Sequence, residues 1–134
     1  MTGRPSCVLV RRGGVHTGAQ GLGYAAGLTA GTAGTRGFCL TEGELPPGAT
    51  SRAHLHRGIE SGGYVIEGAV EMLWGERLEH TISASAGDFV YIPPDVPHLV
   101  RNPTGDPARF LVAHTAADDQ EGIVLLEALE AAVQ

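Results

Sequence analysis

The chain has 134 residues, enough for one domain with a hydrophobic core and too few for two domains of ordinary size. It contains 9 Lys and Arg and 15 Asp and Glu, which gives a formal net charge of −6. Because the basic residues are not clustered along the sequence, we expect no nucleic-acid partner. No apolar run approaches the roughly 20 residues of a membrane span. We therefore expect a cytoplasmic protein without membrane contact, folded as a single domain over residues 1–134.

Glycine and proline punctuate the whole chain, with 20 and 8 copies, and short runs rich in Val, Ile, Leu and aromatic residues lie between them. Residues 1–36 are predicted to be a glycine-rich arm, in which residues 7–10 could form a strand and residues 21–35 are mainly loop with room for one short strand. From there onward we predict strands at residues 37–45, 50–56, 62–68, 69–75, 76–83, 89–92, 98–102 and 109–115. Short, evenly spaced strands with turn residues between them indicate an all-β sandwich or barrel, with its core at about residues 37–115.

The tail, residues 116–134, has a different pattern. Asp118 or Asp119 can cap a helix, and Ile123, Leu126 and Leu129 fit one helical face. A short extended piece at residues 123–126 is compatible with the same pattern. We predict a short C-terminal helix.

Two histidines, His54 and His56, stand one residue apart on a predicted strand. Side chains at i and i+2 of a strand point the same way, so both imidazoles can converge on one ion at roughly 2.0 to 2.1 Å from each nitrogen. Glu60 shares their parity if Gly58 only bends the chain, and it could add a carboxylate oxygen. This pair alone is a weak signal, whose alternative interpretation is two solvated or packed imidazoles.

A third histidine, His98, follows a proline-stiffened turn and begins another predicted strand. In a small antiparallel barrel that strand can lie beside the first and complete a ligand set. We predict His54, His56, Glu60 and His98 as metal ligands. Three neutral imidazoles and one carboxylate leave a divalent metal one or two open positions, which is typical of a catalytic site.

With these residues in this order, the chain resembles a single-domain cupin. The first cupin motif is matched by Gly48, His54, His56, Glu60 and Gly68, and the second by Gly87, Pro93, His98 and Asn102, with Asp95 where cupins carry glycine. The resemblance implies a double-stranded β-helix, or jelly-roll barrel, that holds one divalent transition metal (Fe, Mn, Zn or Ni). Asp tolerates the backbone angles of such a turn better than most residues.

The carboxylate position departs from the cupin pattern. Seven residues rather than six separate Glu60 from Gly68, so that a count back from Gly68 reaches Ser61. We prefer Glu60 as the ligand, with a β-bulge at Gly62 and Gly63 absorbing the extra residue. In the alternative, Ser61 faces the metal and three histidines hold it.

Other polar and aromatic residues have less certain roles. His114 either contacts the substrate or metal ligands or is a satisfied core residue, whereas His16 and His80 are read as surface residues. Each of the aromatic side chains could line a pocket or face outward: Phe38, Tyr64, Trp74 and Tyr91. One arginine near the ligands could bind an anionic substrate, the alternative being a solvated side chain: Arg52, Arg57 and Arg101. The cysteines, Cys7 and Cys39, are expected to be reduced thiols.

The leading functional hypothesis is a small-molecule enzyme with a mononuclear metal, an oxygenase or dioxygenase with iron, or an isomerase, cyclase or lyase with a Lewis-acid metal. One alternative is a cupin that binds or senses a small ligand without turnover, and another is a closed structural metal site. We expect a homodimer, because the apolar tail, the N-terminal arm and exposed barrel edges all gain from pairing.

Overall fold

The computed structural model describes residues 6–133, so the expectations for residues 1–5 and 134 lie outside the described residues. Within this range the chain forms short β-strands and two short helices. The strands are β1 Val15–Thr17, β2 Gly23–Leu28, β3 Cys39–Leu45, β4 His54–His56, β5 Ser61–Glu67, β6 Ala69–Trp74, β7 His80–Ser85, β8 Phe89–Ile92, β9 His98–Arg101, β10 Ala108–His114 and β11 Ile123–Leu125. The helices are α1 Ala30–Ala33 and α2 Glu127–Ala132.

The strands form two antiparallel sheets, and the predicted all-β jelly-roll fold is confirmed. The six-stranded sheet has the order β1-β2-β3-β10-β5-β8, and the five-stranded sheet has the order β11-β4-β9-β6-β7. Neighbours such as β3 and β10 are far apart in sequence, as a jelly roll requires. The predicted strands from residue 37 onward are all present, with ends that differ by a few residues.

The main core contains apolar side chains contributed by both sheets. Its buried members are Leu22, Tyr24, Leu45, Val65, Val70, Ala84, Ala108 and Phe110. Strand β3 shows how the sequence builds it, because buried and half-buried residues alternate along its whole length. Side chains of one parity therefore face the interior, where the histidines also lie.

A second apolar cluster fixes the C-terminal tail to the five-stranded sheet. It contains Ala53, Leu73, Leu78 and Leu99, and the side chains of Leu126 and Leu129 pack against it. Arg52 adds ion pairs to Glu127 and Glu130, at 3.0 and 3.3 Å. The predicted helical face is confirmed for Leu129, whereas Leu126 packs on the cluster from the position just before α2.

The beginning of the helix was predicted wrongly. The helix begins after Leu126, which makes no side-chain cap, and residues 123–125 instead form β11 beside β4. Asp118 accepts a hydrogen bond from the Gln120 amide in a turn that precedes this strand. The extended piece that the sequence also allowed at residues 123–126 is therefore the one observed.

The N-terminal region was also predicted incompletely. Residues 7–10 form no strand, whereas β2 pairs with β3 over most of its length. Leu22 and Tyr24 are each only 3% exposed and belong to the main core. The segment from β1 to β2 is thus an integral part of the six-stranded sheet rather than an arm.

Two further findings concern the chain as a whole. Cys7 is exposed and Cys39 is buried, and both are free thiols, as predicted. None of the helices in the described range combines the length and the apolar character needed to cross a bilayer.

Candidate metal centre

Three predicted ligands meet inside the barrel. His54 and His56 project from β4, and His98 lies on the neighbouring strand β9, directly paired with His54. Each offers a ring nitrogen, and these three atoms lie within 4.8 Å of one another. The three side chains are only 3 to 5% exposed.

Backbone carbonyls fix the orientation of two of these rings. Nδ1 of His54 donates to the carbonyl oxygen of Arg52 at 2.7 Å, and Nδ1 of His98 donates to that of Val96 at 2.9 Å. A carbonyl only accepts, so the proton resides on Nδ1 and the Nε2 lone pair is free. This is the arrangement in which a histidine coordinates a metal through Nε2.

The surroundings keep the three imidazoles neutral. Burial lowers the pKa of His54 to about 3 and that of His56 to about 2, and neighbouring histidines add repulsion against the charged forms. Burial also lowers the pKa of His98. At neutral pH all three therefore present lone pairs rather than positive charges, which fits a divalent transition metal.

The structure does not bring Glu60 into this group. Glu60 is exposed, and its carboxylate accepts a hydrogen bond from the Tyr91 hydroxyl at 2.5 Å. Ser61 occupies the inward position instead and is 3% exposed. The assignment of Glu60 as a ligand therefore has no geometric support here, and the alternative count from Gly68 describes the observed side-chain positions.

Strand β5 does not contain the β-bulge that was predicted at Gly62 and Gly63. Strand β5 pairs regularly with both neighbours through Gly62 and Gly63. The register shifts later, where Arg109 pairs with Glu67 but Phe110 pairs with Val65, which leaves Ile66 as the additional residue. The bulge predicted at the two glycines is thus wrong, and Ser61 keeps the inward parity of Val65.

His114 is the fourth histidine of the interior. It lies on β10 opposite Ser61, and its Nδ1 is 2.6 Å from the Ser61 hydroxyl oxygen. Its ring centroid is 4.6 Å from that of His56, but its nitrogens do not belong to the group of three. Burial lowers the pKa of His114. The structure therefore supports the interpretation that His114 faces the site.

These four histidines line one cavity, whose empty space together with the open solvent at its mouth is about 700 Å³. The rest of the lining is almost entirely apolar and includes Val65, Val70, Met72 and Phe110. Tyr24 also lines the cavity, and its hydroxyl accepts a hydrogen bond from Gln20 at 2.6 Å. The cavity thus has a small polar patch of imidazoles surrounded by apolar side chains, which is typical of a small-molecule site.

The arginines near the ligands do not line this cavity. Arg52 pairs with carboxylates of α2, and Arg101 pairs with Glu71 at 3.0 Å. Arg57 is exposed. The hypothesis that one of them binds an anionic substrate in this cavity therefore finds no support in the lining.

The remaining predicted residues divide between the cavity and the surface. Among the aromatic candidates only Tyr64 lines the cavity, whereas Phe38 and Tyr91 are 47% and 58% exposed. His16 and His80 are exposed, as predicted. Asp95 adopts a positive φ of 64°, and its carboxylate accepts a hydrogen bond from the Gly58 amide at 2.9 Å. This contact steadies the loop that follows the first two histidines.

Sequence reasoning missed two parts of the site. One is the contribution of β2, whose Tyr24 closes part of the cavity wall. The other is the contact between Ser61 and His114, which joins two strands that are more than fifty residues apart in sequence. The departure at Ser61 was the only local signal for this pair.

Comparison with known proteins supports the fold and leaves the reaction open. Residues 41–114 match the Cupin domain family. An uncharacterised protein of Methanocaldococcus jannaschii is 32% identical over 89 residues, covering 66% of this chain and 68% of that protein.

Two solved structures resemble the chain over almost its whole length. An uncharacterised Klebsiella pneumoniae protein with a double-stranded β-helix domain is 21% identical to this chain, with a TM-score of 0.66. The match covers 92% of this chain and 84% of the Klebsiella chain. The polyketide cyclase RemF of Streptomyces resistomycificus is 23% identical to this chain, with a TM-score of 0.68. The match covers 94% of this chain and 86% of the RemF chain. At these identities the structural likeness concerns the fold alone.

Proposed function

Because the chain belongs to the Cupin domain family, we propose that it is a small-molecule enzyme whose divalent metal is held by His54, His56 and His98. One observation carries this proposal: three buried ring nitrogens lie within 4.8 Å of one another on the wall of an apolar cavity. Three protein ligands leave coordination positions for a substrate, as catalytic sites do and closed structural sites do not.

A divalent metal at this position would supply a Lewis acid for a carbonyl or enolate oxygen, or, as iron, oxygenase chemistry. The protein contributes the rest. The carbonyl oxygens of Arg52 and Val96 hold two imidazoles in the tautomer that coordinates through Nε2. The apolar wall binds the hydrocarbon part of a substrate and limits the access of water.

We favour Lewis-acid chemistry on an oxygen-bearing apolar substrate, such as isomerisation, cyclisation or a lyase reaction. Two features of the described residues support this choice: the group of candidate ligands contains three histidines and no carboxylate, and the cavity lining contains no arginine for an anionic group. A fold shared with a polyketide cyclase is compatible with it. The oxygenase and the ligand-binding cupin without turnover are alternatives that the experiments below separate.

Metal content tests the proposal directly. Protein purified without chelator should contain close to one transition metal per chain by elemental analysis, and His98→Ala should lose most of it. His80→Ala is the matched control, because this histidine is exposed and lies outside the group. If the wild type binds none of Fe(II), Mn(II), Ni(II) or Zn(II) on titration, the proposal is wrong.

Turnover by different metal forms separates the reaction classes. A Zn(II)-loaded protein that converts an apolar carbonyl compound without dioxygen would support Lewis-acid chemistry. An Fe(II)-loaded protein that consumes dioxygen with such a compound would support an oxygenase. A loaded protein that binds such compounds tightly and converts none of them would support the binding function instead.

We also propose that two copies form a homodimer. Strand β8 is an edge of the six-stranded sheet and exposes Phe89 and Tyr91, which are 81% and 58% exposed. Exposed aromatic side chains on an unpaired edge strand gain free energy from association.

A further inference from the structure

The pair formed by Ser61 and His114 is built into the interior and is not explained by metal binding. Both side chains are nearly inaccessible, at 3% and 4% exposure, and they face each other across the pairing of β5 with β10. Nδ1 of His114 lies 2.6 Å from the serine oxygen. Nε2 of His114 is buried and has no hydrogen-bond partner among the described residues. A buried polar atom without a partner is rare, and because His114 is one of the residues that line the cavity, this atom indicates a place for a ligand.

The hydrogen bond to Ser61 determines which nitrogen carries the proton. His114 is the only partner of the serine hydroxyl among the described residues. If Nδ1 carried the proton, the hydroxyl hydrogen and the Nε2 lone pair would both remain unsatisfied. If the hydroxyl donates to Nδ1, only the Nε2–H group remains. The second arrangement leaves fewer buried groups unpaired, so Nε2 is an N–H donor.

A protonated Nε2 cannot coordinate a metal ion, which separates His114 from the three other histidines. We propose that His114 is a substrate-binding residue that donates from Nε2 to an oxygen atom of a mostly apolar ligand in the cavity, and that Ser61 is the positioning residue that fixes its tautomer. The lining indicates the class of ligand. A hydrocarbon or aromatic group of the ligand would pack against the apolar wall, and a carbonyl-type oxygen would accept a hydrogen bond at the imidazoles. This inference rests on the proposed function only in taking the cavity as the substrate site.

A matched pair of probes isolates the oxygen contact. 2-Acetylnaphthalene and 2-ethylnaphthalene have nearly the same shape and differ by one carbonyl oxygen. Their affinities are measured by fluorescence with metal-free wild-type protein, His114→Phe and His114→Gln. The phenylalanine variant should bind the ketone about 10-fold more weakly and the hydrocarbon equally well, because it loses one hydrogen-bond donor. The glutamine variant, which keeps an N–H donor, should recover part of the loss, and His80→Phe should match the wild type for both probes.

Two further readouts separate this role from others. Two-bond ¹H–¹⁵N spectra of metal-free protein should show the Nε2–H tautomer at His114, and Ser61→Ala should change it to a mixture. Titration with Zn(II) should give the same affinity for His114→Phe as for the wild type.

An Nδ1–H tautomer of His114 in the wild type would overturn the inference. So would a wild type that binds neither probe, or a His114→Phe variant that loses affinity for both probes equally. A loss of Zn(II) by His114→Phe comparable to that of His98→Ala would also overturn it. A wild type that binds no metal would remove the proposed metal chemistry. The probe comparison would still decide the role of His114, because it uses metal-free protein.

Discussion

Acid should destabilise the metal-free protein in a pH range where ordinary carboxylates are still charged. His54 and His56 have pKa values of about 3 and 2 in the folded state, because burial disfavours their charged forms. In the unfolded chain their pKa is about 6.5. Below this value the unfolded state binds more protons than the folded state, so the free energy of unfolding must fall as the pH falls. The loss begins near pH 6.5 and continues toward about pH 3.

The size of the loss follows from the unfolded pKa alone, as long as both histidines stay neutral in the folded state. Between pH 7 and pH 5.5, one such histidine lowers the free energy of unfolding by about 1.25 kcal/mol. His54 and His56 together therefore account for about 2.5 kcal/mol. His98 and His114, whose pKa values are also lowered by burial, add to the same loss. This is a large share of the stability of a typical domain of this size.

Urea unfolding of chelator-treated protein, followed by the fluorescence of the single tryptophan, Trp74, measures this dependence. His56→Gln should reduce the difference between pH 7 and pH 5.5 by about 1.25 kcal/mol, because one titrating group is removed. A wild type whose stability is flat over this range, or a His56→Gln variant with the same pH dependence as the wild type, would refute the assignment of buried neutral histidines.

Three other predictions concern packing, the fourth ligand and assembly. Gly43→Ala should lower the free energy of unfolding by about 1 to 3 kcal/mol in urea titrations, because a Cβ there would overlap the Phe110 ring. Glu60→Gln should leave the metal content unchanged by elemental analysis, because the Glu60 carboxylate is exposed and bonded to Tyr91. Light scattering at micromolar concentration should give twice the 13.9 kDa of the chain.

Each of these predictions has a control or a contradicting result. Gly62→Ala is the comparison for Gly43, since a Cβ at Gly62 would meet no atom within 4 Å. An equal cost for the two substitutions would contradict the packing argument. Loss of metal in Glu60→Gln would restore the carboxylate as a ligand and show that the loop rearranges on metal binding. A mass equal to one chain would exclude the proposed homodimer.

The strands from residue 37 onward could be predicted because their apolar residues alternate and turn residues separate them. Strand β2 could not, since its sequence, Gly23 to Leu28, has three small residues in the middle and little preference for extended structure. Pairing with β3 and burial of Tyr24 stabilise it instead, and both depend on contacts distant in sequence. For the same reason residues 123–125 join β4 although their pattern also fits a helix.

The three histidines of the site could be predicted because each follows from local rules. His54 and His56 share a face by strand parity, and the turn before His98 sets the start of the adjacent strand. The inward position near Glu60 could not be decided, because it depends on the register of β5, and a shift of one residue exchanges the inward and outward faces of a strand. The pair of glycines suggested a β-bulge that would turn Glu60 inward, but β5 pairs regularly through Gly62 and Gly63.

The exchange of a carboxylate for a serine at this position changes the charge of the site. Three neutral imidazoles leave both positive charges of a divalent ion uncompensated, whereas a glutamate ligand would cancel one of them. Ser61 adds no charge, and through His114 it presents an N–H donor. An oxygen atom that gains negative charge during a reaction, such as that of an enolate, would be stabilised by both the ion and this donor. Under the proposed function, a carboxylate directed at the ion would weaken the first of these effects, whereas the neutral pair of Ser61 and His114 would leave it unchanged.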